Sequence, residues 1–396
     1  MRRAAFTSLS LWLLCAAVLG GQLAALAALY MGGGWIVDGV GRPLMVDFFG
    51  PWSAGLLALD GNIAGAYDWP TIEAFQQKMS GSQAGFLPYQ YPPIYLLLFA
   101  PLALLPYQIA YLAFGTMTII LYSGMMWKIV GRAEAVAFAL IWPPAFVAFA
   151  IGQNGALTAA LMGAAFLSME TNAALSGIAL GLLTYKPHFG VLFPVLLALD
   201  QRWRVIAWAC GTIVVLVFTA GLAFGFDSYS VFWGELSKNI ETSLPTGLQR
   251  GTEGWVRLQS IYGFGRIAGA EHETMLTAQL IFSLACATVV IWIWLRNTSH
   301  NLKAASAMAG SVLLVPFVFL YDYPILTVAL AFIYRDRPFV IGEWVIVAGI
   351  TVLVAILSRQ NLPPIGFVAP LMVLGIVYWR MRVQTGGQAT RVQRSV

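Results

Sequence analysis

Long apolar runs, separated by short polar stretches, occupy most of the chain. Runs of about 17–25 mostly apolar residues are long enough to cross a membrane as helices. Nine such runs lie near residues 7–30, 107–127, 133–151, 154–170, 204–226, 275–295, 304–320, 339–358 and 363–380. With three shorter runs at 172–185, 188–199 and 322–334, the pattern predicts about twelve transmembrane helices.

Two long polar segments, 32–90 and 227–274, interrupt this series and are predicted to be loops on one side of the membrane. For residues 91–105, the sequence predicts a short helix that enters the membrane from the same side without crossing it. It stops at Pro106, whose ring and missing amide break a helix. Residues 383–396 predict a flexible cytoplasmic tail. The chain, 1–396, is therefore predicted to be a single transmembrane domain.

The first polar segment contains a helical pattern of its own. Apolar residues recur there at the spacing of one helix face, at Phe48, Phe49, Trp52, Leu56 and Leu59. Such a face is typical of a helix that lies in the membrane interface. Asp47 stands directly before it, in a chain with few acidic residues.

Composition agrees with a membrane protein. Hydrophobic residues make up 59% of the 396 residues, charged residues 10%, and the mean hydropathy is +0.77. Charged residues in ordinary soluble domains are roughly a quarter of the total, so a soluble enzyme of that kind is excluded. The three cysteines, Cys15, Cys210 and Cys286, lie inside apolar runs without paired spacing, and neither a disulfide framework nor a zinc site is indicated.

Basic residues predict the orientation, because short cytoplasmic loops collect Lys and Arg. With the N-terminus inside and each run crossing once, fourteen of the 22 basic residues fall on inner connections. These are Arg2, Arg3, Lys128, Arg132, Arg202, Arg204, Arg296, Lys303, Arg335, Arg337, Arg380, Arg382, Arg391 and Arg394. Short outer connections hold only Lys186 and Arg359.

This orientation places every unusual polar cluster on the outer side. The clusters contain Asp47, Gln153 and Asn154 in "IGQNG", Lys186 and His188 in "LTYKPHFG", and Tyr321 and Asp322 in "YDYP". The helices that flank Lys186 and follow Asp322 are short, so these breaks should lie below the outer surface. Non-helical backbone at that depth must line a cavity or be buried in protein, and ionisable groups there are functional candidates.

Each cluster also has a structural interpretation. Asp47 fits a solvated loop residue or a helix cap, and Gln153 and Asn154 fit a cap at a helix start. Lys186 either extends its ammonium group toward water or needs an anionic partner.

The last cluster, around residues 321–324, has a structural interpretation too. Tyr321 and Tyr323 fit an interfacial aromatic belt. Asp322 fits an ion pair with an arginine of the second outer loop.

Taken together, the clusters suggest one chemistry. Lys186, His188 and the loop arginines Arg250, Arg257 and Arg266 suit a phosphate group carried on a lipid, because ammonium and guanidinium groups are common phosphate partners. A carboxylate at the mouth of such a cavity suits a general base, which must reach the hydroxyl that it deprotonates. A lipid-borne donor and an outer acceptor indicate sugar transfer from a polyprenyl phosphate.

Four segments of the first half carry a family resemblance. They are "VDFFGPWSAGLLALDG", "YPPIYLLLFAPLALLP", "GQNGALTAALMGAAFL" and "GLLTYKPHFGVLFPVLLALDQRWR", which together span about residues 46–204. In this order they resemble the polytopic membrane glycosyltransferases of family 87, which are related to bacterial polyprenyl-phosphate-mannose-dependent α-mannosyltransferases and have the GT-C fold. The second half of the chain is similar only in pattern.

The resemblance implies roles for individual residues. Asp47 matches the acidic residue of the first extracytoplasmic loop that activates the acceptor hydroxyl in the GT-C fold, and an inverting displacement follows. We expect Lys186, His188 and Arg257 to bind the donor phosphate. We expect the sugar or acceptor to contact Gln153, Asn154, Tyr321 and Asp322. The first loop lacks a close acidic pair, so no metal and no cofactor are expected.

The resemblance also implies partners and a location. The donor is a polyprenyl-phosphate sugar, with mannose indicated by the family, and the acceptor is a glycolipid or glycan. The protein is expected in the bacterial cytoplasmic (inner) membrane, with its active site facing the periplasm or cell exterior and no nucleic acid partner. The alternatives are a polytopic transporter or flippase of a lipid-linked or anionic substrate, which should show an internal repeat, and a structural subunit, which needs none of these cavity groups.

Overall fold

The structure, a computed structural model, describes residues 8–81, 86–246, 252–358 and 362–393. These residues form helices and two isolated β-bridges, with no strand among them, so the predicted all-α fold is confirmed. The first half contains α1 (Ser8–Met31), α2 (Phe49–Leu59), α3 (Ile63–Tyr67), α4 (Trp69–Ser80), α5 (Leu96–Ala103), α6 (Tyr107–Val130), α7 (Ala133–Ile141), α8 (Pro143–Ile151), α9 (Gly155–Ser168), α10 (Ala173–Leu182) and α11 (Phe193–Leu199).

The second half contains longer helices and the second polar segment. Its helices are α12 (Trp203–Phe224), α13 (Asp227–Thr246), α14 (Thr252–Arg257), α15 (Ile261–Ile267), α16 (His272–Trp294), α17 (His300–Leu313), α18 (Pro324–Asp336), α19 (Ile341–Leu357) and α20 (Val368–Gln393). Single 3-10 turns lie at Pro93–Tyr95, Leu183–Tyr185, Pro187–Gly190 and Leu320–Asp322. These turns mark the places where helices break.

Four helices among the described residues are long and apolar enough to cross a membrane, namely α1, α6, α12 and α16. A fifth crossing results if α7 and α8, which bend by 59° at their junction, are counted as one broken span. The run 133–151 was predicted as one helix, but Pro143 starts a new one after Trp142. The remaining predicted spans correspond to shorter helices or, for 363–380, to the first part of α20, and the count of about twelve is not confirmed.

The break before α18 is longer than the sequence pattern predicted. The run 304–320 was expected to be helical throughout, whereas α17 begins at His300 and ends at Leu313. Pro316 offers no amide to continue the helix. Residues 314–319 are consequently extended or bent, and the backbone amide of Phe319 donates to the Asp322 carboxylate at 3.1 Å.

The helix predicted after Asp47 is present as α2, but its apolar face is not turned to lipid. Phe48 and Phe49 are fully buried and Trp52 is nearly so, while Leu59 at the helix end is exposed. Gly55 of α2 lies so close to α5 that a Cβ atom there would be 2.7 Å from the Phe99 carbonyl oxygen. The face that the sequence assigned to the membrane interface therefore packs inside the protein.

The regions next to Pro106 and at the C-terminus follow the predictions in part. Residues 96–103 form the predicted short helix, and Pro106 caps the start of α6. At the C-terminus, α20 continues as helix to Gln393, through most of the segment that was predicted to be a flexible tail.

The hydrophobic core between the helices is built mainly from small and aliphatic residues. All side chains from Pro324 to Ile333 in α18 are buried, as is most of α17, so this pair lies at the centre of the core. On one flank, α10 packs against α12 through Gly177 and Gly181, where added Cβ atoms would lie 2.4 Å from Trp208 and 2.5 Å from Thr212. Small residues four apart allow this close approach, as is common in membrane helices.

The basic residues predicted on inner connections meet at one end of the helices, here named the basic end. Arg335 donates to the Ile129 carbonyl at 2.8 Å, and Arg132 to the Tyr334 hydroxyl at 3.0 Å. Ion pairs at this end include those of Arg202 and Lys303 with Asp200, and that of the buried Arg380 with Glu343. Arg2, Arg3, Arg359 and Arg394 lie outside the described residues.

The polar clusters meet at the opposite end, here named the site end, which contains Asp47, Gln153, Lys186 and Asp322. Helix α9 connects the two ends, since it starts after Asn154 and its Phe166 carbonyl contacts His300 beside Ser299. Its 14 residues span roughly 20 Å. These polar clusters and the basic connections near residues 299–303 therefore lie at opposite ends of α9.

Candidate active site

Asp47 is positioned by the residue that follows it. Phe48 is fully buried, and its ring lies 5.1–5.7 Å from the rings of Phe99, Tyr107, Tyr111 and Phe114. Its backbone amide donates to the Ile151 carbonyl at 3.1 Å, at the end of α8. The half-buried Asp47 is thereby held beside the α8–α9 junction, although the two segments are about one hundred residues apart in sequence.

The end of α8 is completed by groups from other segments. The last carbonyls of a helix lack partners inside the helix. Here Tyr111 donates to the Phe149 and Ala150 carbonyls at 2.9 and 2.7 Å, and Trp35 donates to Ala150 at 2.8 Å. Gly152 then turns the chain with φ = +70°, and its missing Cβ leaves room for Phe48. This turn places the Gln153 side chain next to the Asp47 carboxylate.

Gln153 contacts the carboxylate directly. Its Nε2 donates to Asp47 Oδ2 at 2.9 Å, and its Oε1 accepts from the Tyr91 hydroxyl at 3.3 Å. Burial above all, together with the nearby Asp322 and Asp47 carboxylates, raises the pKa of Tyr91, although bonds from Asn154 and Gln153 oppose this. Tyr91 therefore stays protonated and available as a donor.

Tyrosines surround the first turn of α9. Asn154, which is buried, donates to the Tyr95 hydroxyl at 2.9 Å, and Thr158 one turn later shares a 2.6 Å hydrogen bond with the Tyr185 hydroxyl. The rings of Tyr95 and Tyr185 are stacked at 4.8 Å. These contacts connect the 86–95 segment, α9 and the Lys186 break in one cluster.

Lys186 is buried and paired. Its Nζ lies 2.6 Å from Asp322 Oδ1, and both side chains are at most 5% exposed. The ammonium also lies over the rings of Tyr321, at 5.2 Å, and Phe189, at 5.6 Å. Of the two possibilities left open for Lys186, an anionic partner is confirmed and extension of the ammonium toward water is wrong, as is the expected pairing of Asp322 with a loop arginine. The helix break that carries Lys186 faces the break that carries Asp322, and a lysine at position 186 can therefore reach the carboxylate.

Tyr321 is close to charged groups of both polar segments. The Asp47 carboxylate and the Arg257 guanidinium are both within electrostatic range of its hydroxyl. Arg257 is exposed at the end of α14, and the following residues are anchored because Gln259 donates to the Val318 carbonyl at 2.8 Å. The second polar segment thus brings one arginine to the site end.

The remaining predicted cations are less well placed. His188 is half-buried and makes no hydrogen bond or ion pair to another residue within the described ranges. Arg266 lies over the Trp255 ring at 4.3 Å and donates to the Ala270 carbonyl at 2.7 Å. Arg250 lies outside the described residues.

Sequence reasoning missed the tyrosines and the glycines of this cluster. Tyr91, Tyr95 and Tyr185 belong to the motifs "YQYPPIY" and "LTYKPHFG", which were interpreted through their prolines and their lysine. The signal that was available is the concentration of phenol hydroxyls beside helix breaks. Gly152 and Gly155 carried no such signal, since glycine is frequent throughout the chain.

A metal site was also considered. Within the ranges that the structure describes, no group of three or more His, Cys, Asp or Glu side chains is arranged to hold a metal ion.

Gly152→Ala is expected to damage the site through the backbone. A left-handed conformation costs a residue with a Cβ about 1–2 kcal/mol, and the added atom would lie 2.4 Å from the Phe48 Cβ. We expect a lower unfolding temperature in detergent and loss of the Asp47 geometry. Gly124→Ala is the control, because its Cβ would meet nothing within 4 Å in α6. Equal unfolding temperatures for the two variants would contradict the predicted strain.

Comparison with known proteins identifies the family. No curated protein and no solved structure matches the chain. The family model described as Glycosyltransferase family 87 matches residues 89–318, more than half of the 396 residues. The match includes Tyr91, Gln153, Lys186 and Arg257, whereas Asp47 precedes it and Asp322 follows it. This chain belongs to glycosyltransferase family 87, a family of membrane glycosyltransferases.

Proposed function

We propose that this glycosyltransferase moves a sugar from a polyprenyl-phosphate donor to an acceptor hydroxyl, with Asp47 as the general base. The observation that carries the proposal is the hydrogen bond between Asp47 and Gln153. It brings the carboxylate of the first polar segment to the start of α9, beside the Lys186 and Asp322 breaks. The resemblance to polyprenyl-phosphate-mannose-dependent enzymes makes mannose the proposed sugar.

The proposed reaction is a single inverting displacement. The acceptor oxygen attacks the anomeric carbon, and the bond from that carbon to the phosphate oxygen breaks on the opposite face. The hydroxyl proton passes to Asp47, and the polyprenyl phosphate leaves with the bonding electron pair. A carboxylate with an ordinary pKa of about 4 is ionised at neutral pH, and it accepts the proton late, as the attacked hydroxyl becomes acidic.

The leaving phosphate needs positive charge, which is more effective in a site that excludes water. Arg257 is the proposed main partner, because its guanidinium is exposed and in range of Tyr321. His188 is a second proposed partner, as a neutral hydrogen-bond donor, because burial and the neighbouring Lys186 ammonium both disfavour its cationic form. Lys186 would contact the phosphate only after leaving Asp322, so we propose that it acts mainly by holding the two helix breaks together.

The sugar and the acceptor are proposed to occupy the space between Asp47 and Tyr321. Tyr321 is partly exposed there and is proposed to contact them through its hydroxyl, since its ring stacks on Phe319 at 5.0 Å and lies under the Lys186 ammonium. Asn154 is buried there and donates to the Tyr95 hydroxyl. Asp322, proposed from the sequence as a sugar or acceptor ligand, is buried in its ion pair and would have to separate from Lys186 first.

The proposed location follows from the two ends of the molecule. Lys and Arg on short connections favour the cytoplasmic side, which assigns the basic end to the cytoplasm. The site end would then face the periplasm or cell exterior of an inner membrane. A lipid-linked donor and a glycolipid or glycan acceptor are both within reach of such a site.

Purified protein in lipid nanodiscs should test the proposal with a panel of polyprenyl-phosphate sugars and a membrane lipid extract as acceptor source. We expect at least one polyprenyl-phosphate sugar, with mannose the proposed one, to support transfer. Matched nucleotide sugars should not, since they lack the lipid that delivers the phosphate. Transfer from nucleotide sugars alone would overturn the proposed donor, and movement of an intact lipid-linked sugar across vesicles without transfer would favour a flippase.

A further inference from the structure

The Gln153 side chain forms a bridge between a hydrogen-bond acceptor, the Asp47 carboxylate, and a hydrogen-bond donor, the Tyr91 hydroxyl. Its Nε2 donates to Asp47 Oδ2 at 2.9 Å, and its Oε1 accepts from the Tyr91 hydroxyl at 3.3 Å. An ionised carboxylate only accepts hydrogen bonds, whereas an amide has one accepting and one donating end. The amide orientation that suits Asp47 therefore directs the Gln153 carbonyl oxygen toward donors, which are the Tyr91 hydroxyl and, at 3.4 Å, the Asn154 backbone amide.

Both ends of this bridge are held by the protein. The Gln153 backbone amide donates to the Ala148 carbonyl at 2.7 Å, across the Gly152 turn. The Tyr91 carbonyl accepts from the Tyr67 hydroxyl at 3.1 Å, and the Tyr91 ring lies 4.5 Å from that of Tyr95. Gln153 thus joins the end of α8 to the 86–95 segment, and Asp47 receives a donor that is fixed from two sides.

The 86–95 segment is itself tied to the first polar segment. Gln76 of α4 is fully buried, and its side chain both donates to the Leu87 carbonyl at 2.9 Å and accepts from the Leu87 amide at 2.8 Å. The Gln76 Nε2 also donates to Ser53 Oγ of α2 at 2.8 Å. The helix that follows Asp47 and the segment that carries Tyr91 consequently share one support.

We propose that Tyr91 and Gln153 are positioning residues for the base: Tyr91 fixes the amide of Gln153, and Gln153 fixes the carboxylate of Asp47 toward the acceptor hydroxyl. This inference rests on the proposed function, in which Asp47 accepts the proton. It assigns Gln153 a role different from the sugar contact expected from the sequence. A small misplacement of a catalytic group is enough to slow a reaction strongly, so the bridge should act on turnover.

Gln153→Glu is the most direct test. It places a second carboxylate against Asp47, and two carboxylates that share a site raise the pKa of one of them strongly. A raised pKa leaves the base protonated at pH values where it is ionised in the wild type. The acid limb of the kcat profile should therefore move to higher pH by at least about one unit, with activity recovering as the pH rises.

The chain offers a matched control for that substitution. Gln77 Nε2 donates to Glu73 at 3.0 Å on α4, which repeats the same amide–carboxylate contact outside the site. Gln77→Glu should leave the acid limb unchanged. The activity measured is release of polyprenyl phosphate from polyprenyl-phosphate mannose, or from the donor active in the panel, with membrane lipid extract as acceptor source.

Tyr91→Phe tests the first half of the bridge. We expect kcat to fall by about tenfold, the worth of one hydrogen bond, with the donor KM within about twofold. In the Gln153→Ala background the same substitution should have no further effect, because Tyr91 acts only through Gln153. Tyr334→Phe, which removes a hydroxyl bonded to Arg132 at the basic end, is the control.

The outcomes separate this inference from the proposed function. If Asp47→Asn keeps full activity, Asp47 is not the base and the proposed function fails first. If Asp47→Asn is inactive but Gln153→Glu keeps the wild-type pH profile, the positioning role is overturned alone. Additive losses from Tyr91→Phe and Gln153→Ala would also overturn it, since independent effects mean that no bridge joins them.

Discussion

Asp47→Asn is expected to lower kcat for sugar transfer by about 10²- to 10⁴-fold, the usual contribution of a general base. Asparagine has nearly the same shape, and its side-chain oxygen can still accept from Gln153. The change therefore removes the proton acceptor while the Phe48 anchor and the α8–α9 junction remain. We expect the unfolding temperature and the donor affinity to stay close to the wild-type values.

Single-turnover transfer and direct donor binding, measured on the same preparations, separate these effects. Asp60→Asn is the matched control, because Asp60 is an exposed carboxylate at the C-terminal cap of α2 in the same polar segment. It should transfer sugar at the wild-type rate. Turnover within tenfold of wild type for Asp47→Asn would remove this residue as the base.

Lys186→Met is expected to destabilise the protein by about 3–5 kcal/mol, because it leaves a buried carboxylate without its cation. Asp322 is only 1% exposed, so water does not replace the lost ammonium. The double variant Lys186→Met/Asp322→Asn should recover most of this loss. Its asparagine oxygen can still accept from Phe319, and no unpaired charge remains.

Thermal unfolding in nanodiscs measures how much stability the double variant regains. Donor binding to the double variant shows whether the Lys186–Asp322 pair contributes to donor affinity. Wild-type donor affinity in a folded double variant would assign Lys186 to holding the helix breaks. A folded double variant without donor affinity would instead restore Lys186 as a phosphate ligand. Lys303→Met is the control, since its pair with Asp200 at 3.2 Å is partly exposed and Arg202 stays bound to the same carboxylate, so a loss of about 0–1 kcal/mol is expected.

The long helices were predictable because each is an uninterrupted apolar run with a clear stop. Helix α6 starts after Pro106 and ends before Gly131, which has φ = +72°, close to the predicted 107–127. Prolines inside runs were harder to interpret, as Pro143 and Pro316 show. Local sequence indicates that a helix breaks at a proline but not where the next one begins, since packing against the core selects the new start.

The components of the site were predictable, but their pairing was not. Asp47, Gln153, Lys186 and Asp322 are polar residues in apolar surroundings, and the sequence therefore marked them as candidates. The contacts Asp47–Gln153 and Lys186–Asp322 join residues more than one hundred positions apart. Only the packing of α8, α9 and α18 decides which of the candidates meet. Tyr91 was missed because a tyrosine in an aromatic segment resembles a packing residue until its hydroxyl partner is known.

The approach of Gly155 to the Tyr321 carbonyl limits how the molecule can move. A Cβ at Gly155 would lie 1.5 Å from that oxygen, so the backbones at the starts of α9 and α18 are in direct contact. In the rocking motion that transporters use, one half of the molecule moves against the other. Such a motion would have to separate these two backbones, or move a residue larger than glycine past the Tyr321 carbonyl. We therefore expect these two backbone segments to stay together, with substrates entering and leaving through the polar segments around them.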